Sequence, residues 1–149
     1  MIIQQVLCFA AVQELCEPFG LTVRSKNVFA GDSQSGQAGD IRVFTKDVLV
    51  AAIEVKAHSI SSEKIIEVLE SHGVHTYPLM IVANEILERK SSKQLSYATV
   101  IDFIETITTL CAIHSSGQLE EAAQHVLERY NHAIVNTENR PEYSVVFRI

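Results

Sequence analysis

Hydrophobic and polar positions divide the first third of the chain into a helix, a strand and a loop. Apolar side chains recur at roughly helical spacing over residues 2–17, and Pro18 and Gly20 then form a strong stop signal. Residues 21–30 largely alternate between apolar and polar side chains, which predicts a strand. Residues 31–39 are rich in glycine, serine and other turn formers, which predicts a loop.

The middle of the chain predicts a β-hairpin, a helix and a further strand. Residues 40–45 and 48–57 are expected to be antiparallel strands joined by a very short turn. The second strand is aliphatic on both faces, as in a central strand that is covered on each side. A helix follows over about 61–71, and the apolar run 78–83 predicts a strand. Because a crossover helix separates them, these last two strands should be parallel.

The last third of the chain is predicted to be mainly helical. After a polar stretch over 84–94, two long helices are expected over 96–114 and 117–134. The final residues, 141–149, form either an edge strand or a tail. The predicted order α-β-β-β-α-β-α-α describes one α/β domain over residues 1–149, with a mixed central sheet flanked by helices.

Composition is typical of a folded domain. Hydrophobic residues make up 47% of the chain and charged residues 20%, so a disordered chain is excluded. No apolar stretch approaches the roughly 20 residues that span a membrane, and the N-terminal segment lacks the basic leader of a signal peptide. The three cysteines, Cys8, Cys16 and Cys111, are too scattered for a disulfide framework or a zinc-finger motif. A reducing, cytoplasmic location is therefore expected.

The charge of the chain is unevenly distributed. The formal net charge is −6, which argues against a generic nucleic-acid-binding protein with a basic face. Residues 21–66, however, carry six basic and five acidic side chains. A divalent metal ion bound in this nearly neutral region would make it locally positive.

Three charged residues stand in the apolar surroundings of the predicted hairpin. Asp40 begins its first strand, and Glu54 and Lys56 interrupt the aliphatic second strand. Charged residues rarely enter a buried strand unless something pairs with them. With a turn centred on Asp47, Asp40 lies opposite Glu54, with Cβ atoms about 4.5–5.5 Å apart on one face of the sheet. Lys56 returns to the same face.

This arrangement predicts a metal-dependent site for cutting phosphodiesters. Two carboxylates at such a distance can chelate Mg²⁺, and the backbone carbonyl of Val55 could complete the coordination. The metal would polarise a phosphate and activate a bound water, which Lys56 could orient or deprotonate. The alternative is an exposed edge hairpin in which Lys56 forms a weak surface ion pair with Glu54 or Asp40. The aliphatic second strand argues against that alternative.

The same residues resemble a known family. Asp40 followed by Glu54-Val55-Lys56, within this order of helices and strands, resembles the PD-(D/E)XK nuclease superfamily. The resemblance covers approximately residues 1–84, and the residues that flank the motif are most like those of type II restriction endonucleases. Gly39 stands where the name of the motif has proline, a common variation that removes no chemical group.

The resemblance implies a restriction-endonuclease-like core, Mg²⁺ as the cofactor and DNA as the substrate. It implies that Asp40 and Glu54 ligate the metal and that Lys56 lies near the attacking water. Many members also provide an acid from the first helix to a second metal, for which Glu14 is the best-placed candidate in this chain. The chain is short for a restriction enzyme, so it is either a minimal enzyme or the catalytic part of a longer one.

Two other functions remain open. One is a structure-selective nuclease such as a junction resolvase, and the other is a catalytically silent domain that binds protein or nucleic acid. Because double-strand cleavage needs two sites, a homodimer is expected. The helices over 96–134 are candidates for its interface, although a core role is favoured for their isoleucine and leucine positions, Ile101, Ile104, Ile107 and Leu110.

Several polar residues near the motif have simpler interpretations. His72 and His75 span the end of the predicted helix, and a solvated helix terminus is favoured over a metal pair. His58 is interpreted as a polar residue at the end of a strand. Arg42 should share the face of Asp40, where it could support the site or contact a backbone phosphate.

Overall fold

A computed structural model describes residues 2–25, 40–90, 92–115 and 117–136. Within these ranges the chain forms four α-helices and five β-strands, with a short 3-10 helix at Glu17–Phe19. The helices are α1 (Ile2–Cys16), α2 (Ser62–His72), α3 (Val100–Ser115) and α4 (Leu119–Asn136), and the strands are β1 (Thr22–Ser25), β2 (Ile41–Thr45), β3 (Val48–Ile60), β4 (Leu79–Ile86) and β5 (Leu95–Thr99). The predicted loop over 31–39, the strand residues 26–30 and the segment 141–149 lie outside the described residues.

The strands form one mixed sheet in the order β1-β2-β3-β4-β5. The pairs β1–β2 and β2–β3 are antiparallel, and β3–β4 and β4–β5 are parallel. The predicted α/β class, the central place of β3 and the parallel pairing across the α2 crossover are therefore confirmed. The central place of β3 has the physical reason expected from its sequence. Its residues 48–53 are aliphatic on both faces, as in a strand that is covered on each side.

One strand was not predicted, and the order of elements is α-β-β-β-α-β-β-α-α rather than the expected one. Residues 95–99, assigned in part to a helix from 96, form β5 instead. The strand passes directly into α3, where the hydroxyl of Thr99 accepts a hydrogen bond from the N–H of Asp102 at 3.2 Å. Because no glycine or proline separates the two elements, the apolar pattern shows no break there.

The two faces of the sheet pack against different helices. Side chains of β3 alternate, so Ile53 and Val55 join the core formed with α1, α3 and α4. Ala52 points to the other face, where Ile65 and Val68 of α2 pack against the sheet. We call this second face the α2 face. Its positions on β3 are Ala52, Glu54 and Lys56, so both charged residues of the motif lie on it.

The proposed core role of the α3 residues holds for half of them. Ile104 is buried and Ile107 is partly buried against the main core. Ile101 and Leu110 are 70% and 44% exposed, so the prediction of a core role is wrong for these two. At about 100° per residue, steps of three drift around the helix by about 60° each, so Ile101 and Leu110 fall at the two outer edges of the stripe whose centre is Ile104 and Ile107.

The remaining sequence features agree with the described structure. Cys8, Cys16 and Cys111 are free thiols, as the absence of a disulfide framework predicted. In the part of the chain that the structure describes, no helix combines the length and the apolar composition needed to cross a membrane.

Candidate functional site

The hairpin turn sets the register of the motif. Lys46 and Asp47 have φ values of 48° and 67°, so they form a two-residue turn of the kind that requires positive φ at both positions. The predicted very short turn at Lys46 and Asp47 is therefore confirmed, although its centre lies between these two residues and not on Asp47. A β-bulge at Val50 shifts the pairing by one residue, however, and Ile41 faces Ile53 as that prediction required.

Asp40 lies immediately before β2 and is only 7% exposed. Its Oδ2 accepts a hydrogen bond from the backbone N–H of Val55 at 2.8 Å, and its own N–H donates to the carbonyl of Ile53 at 3.0 Å. Asp40 therefore continues the hairpin with its side chain against β3. The contacts on either side of Glu54 place the two carboxyl-bearing residues next to each other, as predicted.

The predicted contribution of Val55 is only partly described. Its side chain is fully buried in the main core and points away from the α2 face, as expected. Its N–H, rather than its carbonyl oxygen, makes the contact with Asp40. Metal ligation by the Val55 carbonyl stays a prediction.

Glu54 lies in the middle of β3 and its carboxylate is held from two sides. The Nε2 of His72 is 3.1 Å from Oε1, and the Nζ of Lys56 is 3.6 Å from Oε2. The side chain of Glu54 is 10% exposed and that of Lys56 is 33% exposed. The ion pair with Lys56 is therefore present, but on a central strand instead of the exposed edge of the alternative interpretation.

His72 is the residue that sequence interpretation missed. It is the last residue of α2, and its side chain is completely buried, so the expected solvated helix terminus is wrong at this position. Its spacing from Ile65 and Val68 gave a usable signal, because steps of three and four residues keep a helical residue on one face. That face packs on the sheet and directs the imidazole towards Glu54.

We assign the tautomer of His72 from its two hydrogen-bonding partners. An ionised carboxylate only accepts, so the Nε2–H donates to Glu54. In the neutral ring, Nδ1 then accepts from the hydroxyl of Tyr77, which lies 2.8 Å away. Burial and, secondly, the negative charge of Glu54 raise the pKa of Tyr77. The raised pKa favours the protonated hydroxyl, which is the form of Tyr77 that can donate the hydrogen bond to His72.

The sheet becomes irregular directly after the motif. The pairing of β3 with β4 shifts between Lys56 and Ser59, and the side-chain amide of Asn84 donates to the carbonyl of Ala57. His58 is exposed in this segment, in agreement with its interpretation as a polar strand-end residue. Lys56 is thus the last residue of β3 before the pairing with β4 becomes irregular.

Glu14 makes its described contacts away from the hairpin. Its carboxylate pairs with the Nε of Arg129 and lies 3.3 Å from the Nδ1 of His125, both on α4. Arg129 also binds Glu17 through its Nη1 at 2.7 Å. These pairs line a groove of about 790 Å³ between α1 and α4. A role of Glu14 at a second metal stays a prediction.

The donor set of the hairpin suits one kind of metal. Across the described ranges, no cluster of three or more His, Cys, Asp and Glu side chains has an arrangement that could hold a metal ion. Zinc, which is bound mainly by nitrogen and sulfur ligands, is therefore a poor fit. Mg²⁺ needs only one or two carboxylates, because waters and substrate phosphates complete its shell. Asp40 and Glu54 offer those two carboxylates.

Neither the models of known protein families nor the curated proteins give a match to this chain. The feature that points to a function is therefore the side-chain chemistry at the hairpin.

Proposed function

We propose that the protein is a Mg²⁺-dependent endonuclease that hydrolyses DNA phosphodiesters at Asp40, Glu54 and Lys56. The observation that carries this proposal is the pair of buried carboxylates at the hairpin, with a lysine on the same face of β3. Removing a carboxylate from water costs several kcal/mol unless other groups compensate it. Two of them side by side therefore favour a site that binds a cation.

Each residue has a separate task. Asp40 and Glu54 would hold the metal, which when bound polarises the phosphate and makes a coordinated water more acidic. The ammonium group of Lys56, one third exposed, can reach both the Glu54 carboxylate and solvent. It orients the attacking water or stabilises negative charge on the phosphate.

His72 fixes the orientation of Glu54. Its Nε2–H occupies Oε1, and Oε2 is left facing Lys56 on the accessible side. Carboxylates that ligate metals are commonly held in this way by a second hydrogen-bonding group. Tyr77 in turn holds the imidazole, so the buried relay Tyr77–His72–Glu54 stiffens one ligand of the proposed site.

The order of elements supports a restriction-endonuclease-like core. A helix, a hairpin that carries the motif, a crossover helix and a parallel strand occur in the sequence that the PD-(D/E)XK resemblance implies. The likeness of the flanking residues to type II restriction enzymes favours a restriction role. Cleavage of both DNA strands then calls for a homodimer.

Cleavage of mixed plasmid DNA tests this function. With Mg²⁺ we expect discrete fragments, and with a chelator we expect none. Preferential cutting of branched DNA over linear duplex would instead indicate a junction resolvase. The absence of cleavage at any metal concentration would contradict the proposal.

The silent binding domain has one observation in its favour. The carboxylate oxygens already have partners within the protein. Asp40 accepts a hydrogen bond from the N–H of Val55, and Glu54 pairs with His72 and with Lys56. Calorimetric titration with Mn²⁺ separates the two functions. The nuclease should bind the ion in the parent protein and lose that binding in Asp40→Asn, whereas a silent domain should give no heat at the hairpin in either protein.

A further inference from the structure

Two arginines lie side by side on the neighbouring strands β1 and β2, and the second of them follows Asp40 by two residues. Arg24 of β1 is the direct antiparallel partner of Arg42 on β2. Like charges directly opposite each other in a sheet are destabilising. Because directly opposed residues of a sheet have Cβ atoms about 4.5–5.5 Å apart, the two side chains start from neighbouring positions on one face.

Both guanidinium groups lie over the same aromatic ring. Their central carbons are 4.9 Å and 5.6 Å from the ring centroid of Phe44, for Arg24 and Arg42 respectively. Contact with the ring face stabilises a cation and holds its planar group in place. Arg24 also lies 3.9 Å from Asp47, but that side chain is 94% exposed, so this pair contributes little.

The arginines share a face with the motif. Arg42 pairs with Ala52, two residues before Glu54, and alternation along both strands places all three on the α2 face. The helix α2 packs over the β3–β4 half of this face, through contacts of Ile65 and Val68. Arg24 belongs to the other half, and its side chain is 55% exposed.

We infer that Arg24, Arg42 and Phe44 form a contact surface for the DNA backbone, which binds phosphates beside the bond that is cut. This inference rests on the proposed nuclease function. Arginine presents a planar fork that matches phosphate oxygens, and the ring of Phe44 holds two such groups side by side. Such contacts position nucleic acid without reading its sequence.

The surface also gives the backbone a direction. Neighbouring strands are about 4.8 Å apart, and Arg42 and Arg24 lie one and two strands away from Glu54. The bound DNA strand therefore crosses β3, β2 and β1 in turn, and leaves the site at the β1 side of the sheet. It does not run along the hairpin towards the turn at Lys46.

The salt dependence of DNA binding tests this surface. A fluorescein-labelled duplex oligonucleotide is titrated with protein in chelator at several salt concentrations. Each phosphate contact contributes about 0.9 to the slope of log K against log salt. Arg24→Gln and Arg42→Gln should each reduce the slope by about 1 and weaken binding, and Arg42→Lys, which keeps the charge, should retain the slope.

Arg89→Gln is the matched control. Arg89 also lies over an aromatic ring, that of Tyr97, at 5.7 Å from its centroid. Tyr97 belongs to β5, at the edge of the sheet opposite to β1, so Arg89 lies far from the proposed surface. Its loss should leave the slope unchanged. Thermal unfolding of each variant identifies those that do not fold, and the more exposed Arg24→Gln remains informative if Arg42→Gln is one of them.

The outcomes separate this inference from the proposed function. If the parent cuts DNA and both Arg24→Gln and Arg42→Gln keep the salt slope of the parent, the contact surface is wrong and the nuclease function stands. If the parent binds DNA through the two arginines without cutting it, the surface is correct and the catalytic proposal is wrong. If the parent neither binds nor cuts DNA, both are wrong.

Discussion

Two groups of paired charges lie on different sides of the sheet and differ in their burial. At the hairpin, Glu54 is 10% exposed and its partner His72 is completely buried. Between α1 and α4, the side chains of Glu14 and Arg129 are 18% and 30% exposed, and those of Glu17 and His125 both reach 43%. The first group is built into the sheet, whereas the second joins two helices at the surface.

This difference separates a stabilising role from a functional one. Exposed ion pairs cost little to form and contribute about 0–1 kcal/mol, so the α1–α4 group is explained as a contact between helices. A buried charged group carries a desolvation cost that often exceeds the gain from its partners. The hairpin group is therefore poorly explained by stability alone, which is why we assign the function to it.

The largest expected effect is that of removing the charge of Glu54. Glu54→Gln keeps the shape of the side chain but removes one of the two proposed metal ligands, so cleavage should fall by more than about 100-fold. That loss exceeds the effect of about 10- to 100-fold that is usual for residues that act through a metal ligand. Rates with Mg²⁺ and circular dichroism measure activity and fold. Glu128→Gln, at an exposed position of α4 that lines the α1–α4 groove, is the matched control. Equal losses in both variants would contradict the contrast between the two groups.

Loss of the His72 contact should have the next largest effect. His72→Leu leaves Glu54 without its buried donor, so Mn²⁺ affinity should fall by about 10–100-fold and stability by about 1–3 kcal/mol. In His72→Gln the amide N–H can replace Nε2–H, and metal affinity should recover. A purely structural role would lower the melting temperature of His72→Leu without changing the metal affinity.

The α1–α4 group should respond weakly. Arg129→Gln removes the pairs with Glu14 and Glu17, and the free energy of unfolding should fall by less than about 1 kcal/mol. The cleavage rate should not change. Urea denaturation and the plasmid assay measure the two quantities, and a marked loss of cleavage would place this group in the functional site.

The smallest effect concerns the ionisation of Tyr77. Burial and the charge of Glu54 raise its pKa above the ordinary 10.0, so the folded state loses stability as pH rises from that value through the higher folded pKa. Tyr77→Phe should remove this part of the alkaline loss. Ultraviolet titration should show a lower pKa for Tyr77 in Glu54→Gln than in the parent. An unchanged pKa would contradict the electrostatic effect of Glu54 on Tyr77.

The sequence predicted the fold where the pattern of apolar residues was unambiguous. The two-residue alternation was enough to bring Asp40 beside Glu54, because the bulge at Val50 offsets the half-residue difference between the assumed centre of the turn and the observed one. The strand β5 was missed because it enters α3 without a turn signal. Without a glycine or proline at the junction of Thr99 and Val100, no residue signals that a strand ends and a helix begins there.

The site was predicted only in part, because partners from distant segments do not follow from a motif. His72 lies 18 residues after Glu54, and it meets that carboxylate only because α2 folds back over the sheet. Glu14 was selected by its place in α1, whereas its described contacts are with α4. Long-range packing decides both outcomes.

The most direct test of the proposed nuclease site compares the parent with Asp40→Asn on supercoiled plasmid DNA. Both proteins are assayed with Mg²⁺ and with a chelator, under single-turnover conditions. We expect the parent to cut only with Mg²⁺ and Asp40→Asn to be inactive while binding the DNA normally in chelator. Cleavage by Asp40→Asn at the rate of the parent, or no cleavage by the parent with Mg²⁺, would contradict the assignment of the site.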